Sequence, residues 1–227
     1  MRFIFISIGI WLSAGIGLNA QTLDSLVLYE TTDAFLKKSP VVPYVKAEII
    51  EVKPNCLMLH KFRDIATDKK IKYGKLSWSF NYLGNDYFNM IYCNDYYLPS
   101  TFYKMDIVGR YCVILIDENE KIFMNDIHFG AGLTNVLISE YEKSRNKKYY
   151  WYNKSGKKVN IILIDTNDIE RSSVDRNKGS SGNYVSKTKL FKILKPHNPD
   201  LNVEFLGNLL IEDIMEMISE LNKVYLR

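Results

Sequence analysis

The stretch WSFNYLGNDYFNMIYC, residues 78–93, decides the fold class of this chain. Large aromatic rings occupy every second position from Trp78 to Tyr82, and this period of two is typical of a β-strand with one ring-bearing face. Residues 83–86 supply turn chemistry, because Gly and Asn tolerate positive φ. Residues 87–93 then predict a returning strand. Two strands joined by a tight turn pair antiparallel, so we expect an antiparallel sheet.

Other segments extend this pattern. Further strands are predicted at residues 45–52, 56–63, 102–108, 111–116, 148–152 and 159–164, the last two forming a hairpin with Gly156 in its loop. Short helices are predicted at residues 29–39, 134–143 and 184–195. Strands and helices do not alternate regularly, which favours an α+β fold with a mainly antiparallel sheet over a parallel βαβ architecture.

The C-terminal segment carries the clearest helical pattern. Apolar residues recur at helical spacing along one stripe, at Leu210, Ile214, Met217, Leu221 and Val224. Asn208 is in position to cap the helix N-terminus, and acidic residues near the start and basic residues near the end match the helix dipole. We therefore expect a long amphipathic C-terminal helix packed on the sheet along this stripe.

The first 20 residues have the layout of a cleaved export signal. Arg2 gives a positive start, residues 3–12 are apolar apart from Ser7, and small or polar residues lead to Ala20. An uncleaved membrane anchor is the alternative, but the apolar run is shorter than the ~20 residues of a spanning helix. We expect cleavage after Ala20 and a periplasmic or secreted protein without a membrane span. Residues 21–227 then form a single α+β domain with an exposed loop at about residues 165–183.

Three groups of short motifs support the same location. They are the junction LNAQ at residues 18–21, the opening YETTDAF at residues 29–35, and the run from Trp78 to Tyr111 that includes GNDYFN. Together they resemble a family of uncharacterised secreted Bacteroidota proteins, known as a domain of unknown function, over roughly residues 18–115. The resemblance implies an envelope or secreted location and brings no catalytic residue with it.

The three cysteines, Cys56, Cys93 and Cys112, leave two readings open. They are buried reduced thiols, as their apolar neighbours favour, or two of them form a disulfide. A hydrolase is the alternative function, using either a carboxylate pair or a site in which Cys93 or Cys112 works with His60 or His128. No flanking catalytic motif accompanies these residues. We therefore assign no catalytic residue.

Metal and nucleic-acid sites are not indicated either. The histidines show no ligand spacing, and residues 165–170 depart from a calcium loop at Ile169 and Glu170. Residues 143–158 interleave lysines with rings, which in a cytosolic protein would suggest nucleic acid. The full sequence has a net charge of +4, and removal of residues 1–20 takes away Arg2 and no acidic residue. In the exported chain we interpret residues 143–158 as a hairpin whose lysines keep the turn in solvent. We predict no metal, no cofactor and no nucleic-acid partner.

Aromatic side chains are the remaining candidates for a binding surface. A row of exposed rings on one sheet face would stack on sugars, and the weak candidates are Trp78, Phe80, Tyr82, Tyr87, Tyr92, Tyr150 and Trp151. The competing interpretation, which we favour, is that these rings fill the core. We therefore expect a non-catalytic envelope-associated binding or structural module, with a glycan or another envelope protein as candidate partner.

Overall fold

The computed structural model describes residues 22–72, 74–94, 100–117, 150–168 and 179–225. The predicted export signal, the predicted helix at residues 134–143 and residues 169–178 of the predicted loop lie outside the described residues. Within these ranges the chain forms two antiparallel sheets and four α-helices. The predicted α+β fold with a mainly antiparallel sheet is therefore confirmed, with two sheets in place of one.

The first half of the chain forms a closed six-stranded antiparallel barrel. Its strands are β1 (Thr22–Tyr29), β2 (Val42–Lys53), β3 (Cys56–Asp64), β4 (Ser79–Tyr82), β5 (Asn85–Asn89) and β6 (Thr101–Lys104). They pair in the order β1-β2-β3-β6-β5-β4, and β4 closes the barrel against β1. Helix α1 (Thr32–Leu36) follows β1 and begins at Thr31, whose Oγ1 accepts a hydrogen bond from Ala34 N at 3.0 Å. Closure removes the exposed strand edges that an open sheet would present.

Apolar side chains fill the barrel interior. Phe80 stacks on Tyr87 with ring centroids 4.9 Å apart and meets the edge of Phe102 at the same distance. Around these rings lie Leu23, Leu26, Leu28, Val45, Ala47, Leu57, Leu59, Phe62 and Ile71. Burial of these side chains, at about 1.5–3 kcal/mol each, is the main stabilising term of the barrel.

A second sheet lies against the barrel. It consists of β7 (Tyr111–Asp117), β8 (Tyr150–Tyr152), β9 (Lys158–Asp165) and β10 (Gly182–Tyr184), with β9 in the centre. Strand β7 pairs with one edge of β9, and β8 and β10 share the other edge. Alternate residues of β7 and β9 point to opposite faces: Cys112 and Ile162 pack toward the barrel, whereas Val113 and Ile161 pack toward the helices.

Helices α2 (Lys187–Leu194), α3 (Val203–Asn208) and α4 (Ile211–Tyr225) cover the second face of this sheet. The molecule therefore has three layers: barrel, sheet and helices. In the described ranges no helix combines the length and the apolar character needed to cross a membrane.

Two strand predictions need correction. Residues 102–108 and 111–116 do not form a strand pair, because β6 belongs to the barrel and β7 to the second sheet, and only Ile107 bridges to Val113. The strand predicted over residues 87–93 ends at Asn89. There the Asn89 side-chain oxygen accepts from Ile91 N at 3.1 Å and starts a 3-10 turn.

The C-terminal helix exists, and its buried face is rotated from the predicted stripe, with which it shares Ile214 and Leu221. Its fully buried apolar residues are Ile211, Ile214, Ile218 and Leu221, whereas Val224 is 55% exposed. Asn208 does not cap the helix, because it ends α3. Instead, Asp213 reaches back and accepts from Leu210 N at 3.2 Å. The first turn carries Glu212 and Asp213, in agreement with the predicted dipole pattern.

The end of the predicted exposed loop is buried. Ser180 and Ser181 are buried, and Gly182 begins β10. Ser180 N donates to Thr32 Oγ1 at 2.8 Å, and its carbonyl accepts from Trp78 Nε1 at 2.9 Å. These bonds satisfy buried backbone groups, which explains why a polar sequence lies in the core.

Candidate functional site

Most of the candidate rings are core residues. Trp78, Phe80, Tyr87, Tyr92 and Trp151 are all buried, four of them almost completely. They do not form the exposed stacking row that sugar binding would require. The interpretation of these rings as core is therefore confirmed, and the glycan platform is not formed by them.

Tyr82 lies at an open end of the barrel. It lines an apolar depression of about 530 Å³ together with Leu23, Ile49, Val52 and the tip of the β2–β3 hairpin. Tyr82 is half-buried, and the neighbouring Tyr87 is turned into the interior against Phe80. One partly exposed ring does not make a stacking platform.

The β8–β9 hairpin agrees with its prediction. Trp151 packs into the core below the helices, whereas Tyr152 is 45% exposed on the other side of the strand. Tyr150 is half-buried, and Lys158 Nζ lies 5.1 Å from the centre of its ring. Alternation between core and surface is what a strand imposes on consecutive rings.

Among the residues that the structure describes, the cysteines and His60 of the alternative hydrolase site do not converge. All three cysteines are buried thiols without a disulfide, and burial raises the pKa of Cys112 to about 12, so its nucleophilic thiolate is not populated at neutral pH. His60 pairs instead with Glu48, its Nε2 lying 3.0 Å from the carboxylate. His128 lies outside the described residues. Among the described side chains, no cluster of three His, Cys, Asp or Glu is placed to hold a metal ion.

A solvent-open groove between the helices is the candidate site that combines exposed apolar side chains with a polar edge. The helical groove encloses about 520 Å³ and is lined by Leu194, His197, Asn198, Phe205, Leu209, Asp213, Glu216, Met217, Glu220, Leu221 and Val224. Its floor is apolar: Leu194 and Leu221 are buried, whereas Phe205 and Val224 are more than half exposed. Large apolar side chains exposed side by side in a concavity are typical of an interaction surface.

Polar contacts hold the walls of the helical groove in place. Lys195 Nζ donates to the carbonyls of Pro199 and Leu201, at 2.5 and 2.7 Å, and so closes the connection between α2 and α3. The Asn202 side-chain oxygen caps α3 by accepting from Phe205 N at 2.6 Å. Because these bonds fix the start of α3, Phe205 is held beside α4.

Helix α4 is itself fastened to the second sheet. Buried Asn222 accepts from Tyr111 N at 2.8 Å and donates from its amide nitrogen to Tyr111 O at 2.9 Å. At the other end of α4, Lys154 N donates to the Glu212 carboxylate at 3.1 Å and lowers the pKa of that carboxyl. The groove wall is therefore anchored at both ends.

One edge of the helical groove is acidic. Asp213, Glu216 and Glu220 are exposed along α4, and Glu220 forms an ion pair with Lys223 one turn later. On the opposite side, His197 Nε2 lies 3.1 Å from the Tyr225 hydroxyl. The groove thus combines an apolar floor with a carboxylate edge.

Sequence reasoning named none of the groove residues as a binding site. The available signal was that α4 has more apolar residues than one buried stripe needs, since Met217 and Val224 lie beside the buried face. Comparison with protein-family models, with curated proteins and with solved structures finds no match for this chain.

Proposed function

We propose that this chain is an exported, non-catalytic binding module of the cell envelope that holds a helix of a partner protein in the helical groove. The observation that carries the proposal is the surplus apolar surface of the helical layer. Phe205 and Val224 are more than half exposed, Met217 is only partly buried against the core, and all three line a concavity open to solvent. A soluble domain has little reason to expose such a surface unless a partner covers it.

The dimensions of the groove favour a helix as its occupant. From Asp213 to Val224, α4 extends about 16 Å at 1.5 Å per residue, which is about three helical turns. A helix of that length presents apolar anchors at i, i+3 or i+4, and i+7 to a groove of this kind. Each anchor that becomes fully buried contributes about 1.5–3 kcal/mol before the ordering costs of binding.

The N-terminal pattern supports the export part of the proposal, and export would place the chain beside envelope partners. The sequence predicts cleavage after Ala20, and the resemblance to secreted Bacteroidota proteins is in keeping with it. Intact mass measurement of the chain recovered from the periplasm or medium tests this part: a mature N-terminus at Gln21 is expected. A chain retaining residues 1–20 in the membrane fraction would contradict it.

Site-directed photo-crosslinking in intact cells tests the binding role. A photoreactive amino acid replaces Phe205 in one variant and Val224 in a second, and a matched control carries it at Leu83, which is 78% exposed on the barrel. Both groove positions are expected to cross-link the same helical segment of one envelope protein, identified by peptide sequencing. Adducts that form equally at Leu83, or adducts to unrelated proteins at the two groove positions, would refute the proposal.

A further inference from the structure

The lining of the helical groove is electrostatically one-sided. Of the described residues that line it, three are acidic and none is Lys or Arg. This local sign is opposite to the formal charge of the whole chain, which is +4. The carboxylates therefore make the groove favourable for a cationic partner, although the chain as a whole carries a net positive charge.

The carboxylates follow the spacing of a helix edge. Asp213, Glu216 and Glu220 lie at i, i+3 and i+7, so they span about 10 Å along one side of α4. Glu216 is exposed, and Glu220 forms an ion pair with Lys223 in which both side chains are exposed. Exposed ion pairs of this kind contribute little, so a partner's cation can replace Lys223 at small cost.

The apolar part of the groove adapts to apolar side chains of different shapes. Met217 lies between the acidic edge and the apolar floor, and its unbranched thioether adjusts to differently shaped anchors. Phe205 stands opposite with a large exposed ring. A single helix that has an apolar face and an adjoining charged flank therefore matches the groove.

From this arrangement we infer that the occupant is a cationic amphipathic helix of about three turns, a conclusion that rests on the proposed function. Its apolar face contacts Phe205, Met217 and Val224, and Lys or Arg residues on one flank run along Glu216 and Glu220. Such a helix gains both apolar burial and charge complementarity.

A second copy of the chain fits this groove poorly. A twofold pairing of α4 against α4 would place the two acidic edges side by side, and like charges repel. The basic helix α2 is not free to act as the occupant, because Leu190 and Leu194 on its apolar face are already buried. A separate cationic helix remains the occupant that the charges favour.

Three synthetic peptides of about 14 residues test the inference by fluorescence anisotropy with purified residues 21–227. They share one helical apolar face of leucines and differ only in flanking residues, which are lysine, glutamine or glutamate. The lysine peptide is expected to bind about tenfold more tightly than the glutamate peptide, with glutamine between them. The preference should shrink as salt is added.

Matched variants separate the two parts of the interaction. Glu216→Lys with Glu220→Lys is expected to reverse the order of the peptides, whereas the remote Glu51→Lys should leave it unchanged. Phe205→Ala with Val224→Ala should weaken all three peptides about tenfold and preserve their order, whereas Leu83→Ala should have no effect.

The outcomes are distinguishable. Equal binding of the three peptides that is still lost in the Phe205→Ala, Val224→Ala variant would overturn the cationic occupant and leave the binding groove standing. Binding insensitive to that variant, or weaker than about 1 mM for every peptide, would overturn both. A concentration-dependent dimer that the same variant abolishes would show that a second copy occupies the groove, and would also refute the inference.

Discussion

Replacing Asn222 by Ala should detach one end of α4 and destabilise the whole helical layer. The Asn222 amide makes two buried hydrogen bonds with the backbone of Tyr111, at 2.8 and 2.9 Å. Tyr111 opens β7, and its N–H and C=O point away from β9, so Asn222 acts as their partner in place of another strand. Alanine removes both partners and leaves a buried donor and a buried acceptor.

The expected loss follows from the two orphaned groups. An unsatisfied buried polar group costs about 1–3 kcal/mol, so we expect Asn222→Ala to lower the free energy of unfolding by about 2–4 kcal/mol. Urea denaturation measures this change. With a denaturant slope of about 2 kcal/mol per molar, the midpoint should fall by roughly 1–2 M.

The control is a neighbour on the exposed side of the same helix. Lys223→Ala removes an exposed ion pair with Glu220 and should change the unfolding free energy by less than about 0.5 kcal/mol. If Asn222→Ala is as harmless as this control, the buried amide does not hold the helix, and the reasoning fails.

Gly109 provides a second check by a double-mutant cycle. A Cβ at Gly109 would lie 2.6 Å from Asn222 Cγ, so Gly109→Ala should be destabilising in the natural background. In the Asn222→Ala background that clash is absent, and the cost of Gly109→Ala should shrink. Strict additivity of the two substitutions would contradict the packing described for this junction.

Four further substitutions test other parts of the fold by urea denaturation. Leu83→Asn should stabilise the chain by about 1 kcal/mol, because Leu83 is exposed at φ 49° in the β4–β5 turn and Asn tolerates that conformation; a loss of stability would refute this. Gly179→Ala should cost about 1–3 kcal/mol, because its Cβ would lie 2.2 Å from Trp78 Cδ1, whereas Gly207→Ala in α3 meets nothing closer than 3.7 Å and should be neutral or favourable. Burial raises the pKa of the Cys112 thiol to about 12, whereas the thiol of the unfolded chain has its ordinary pKa of 9.0. Between pH 9.0 and pH 12 the folded state therefore keeps a proton that the unfolded state has lost. This contribution to stability is present below pH 9.0 and declines toward pH 12, so Cys112→Ala should flatten the fall of the urea midpoint with alkaline pH; an unchanged slope would refute it.

The β4–β5 hairpin was predictable because its signals are local. Alternating rings, followed by Leu83-Gly84, specify two strands and their turn within a dozen residues, and the structure has both central turn residues at positive φ. Strand β1 was not predicted. Its alternation is interrupted at Ser25, which has φ 65° and coincides with a shift in the β1–β2 register.

Strand partners were beyond local patterns. The local sequence of residues 101–117 does not indicate that β6 pairs with β3 and β5. It also does not indicate that β7 pairs with β9, which follows more than 40 residues later. That choice depends on which apolar faces meet after folding, and periodicity does not encode it. For the same reason the sequence predicted one sheet in place of a barrel and a second sheet.

The groove was missed because α4 carries two adjoining apolar stripes. One, through Met217 and Val224, was chosen as the buried face, but the sheet covers the face through Ile211 and Ile218. Both stripes satisfy a helical period, and only the position of the sheet decides between them. The stripe left uncovered became the candidate site.

The measurement that tests the central claim most directly is an NMR titration of isotope-labelled residues 21–227 with the lysine-flanked peptide. We predict that the backbone amide signals that shift most belong to the helical groove, among them those of Phe205, Glu216 and Val224, while those of the barrel end around Leu83 stay in place. Shifts concentrated at the barrel end, or spread evenly over the molecule, would contradict a docking groove between the helices.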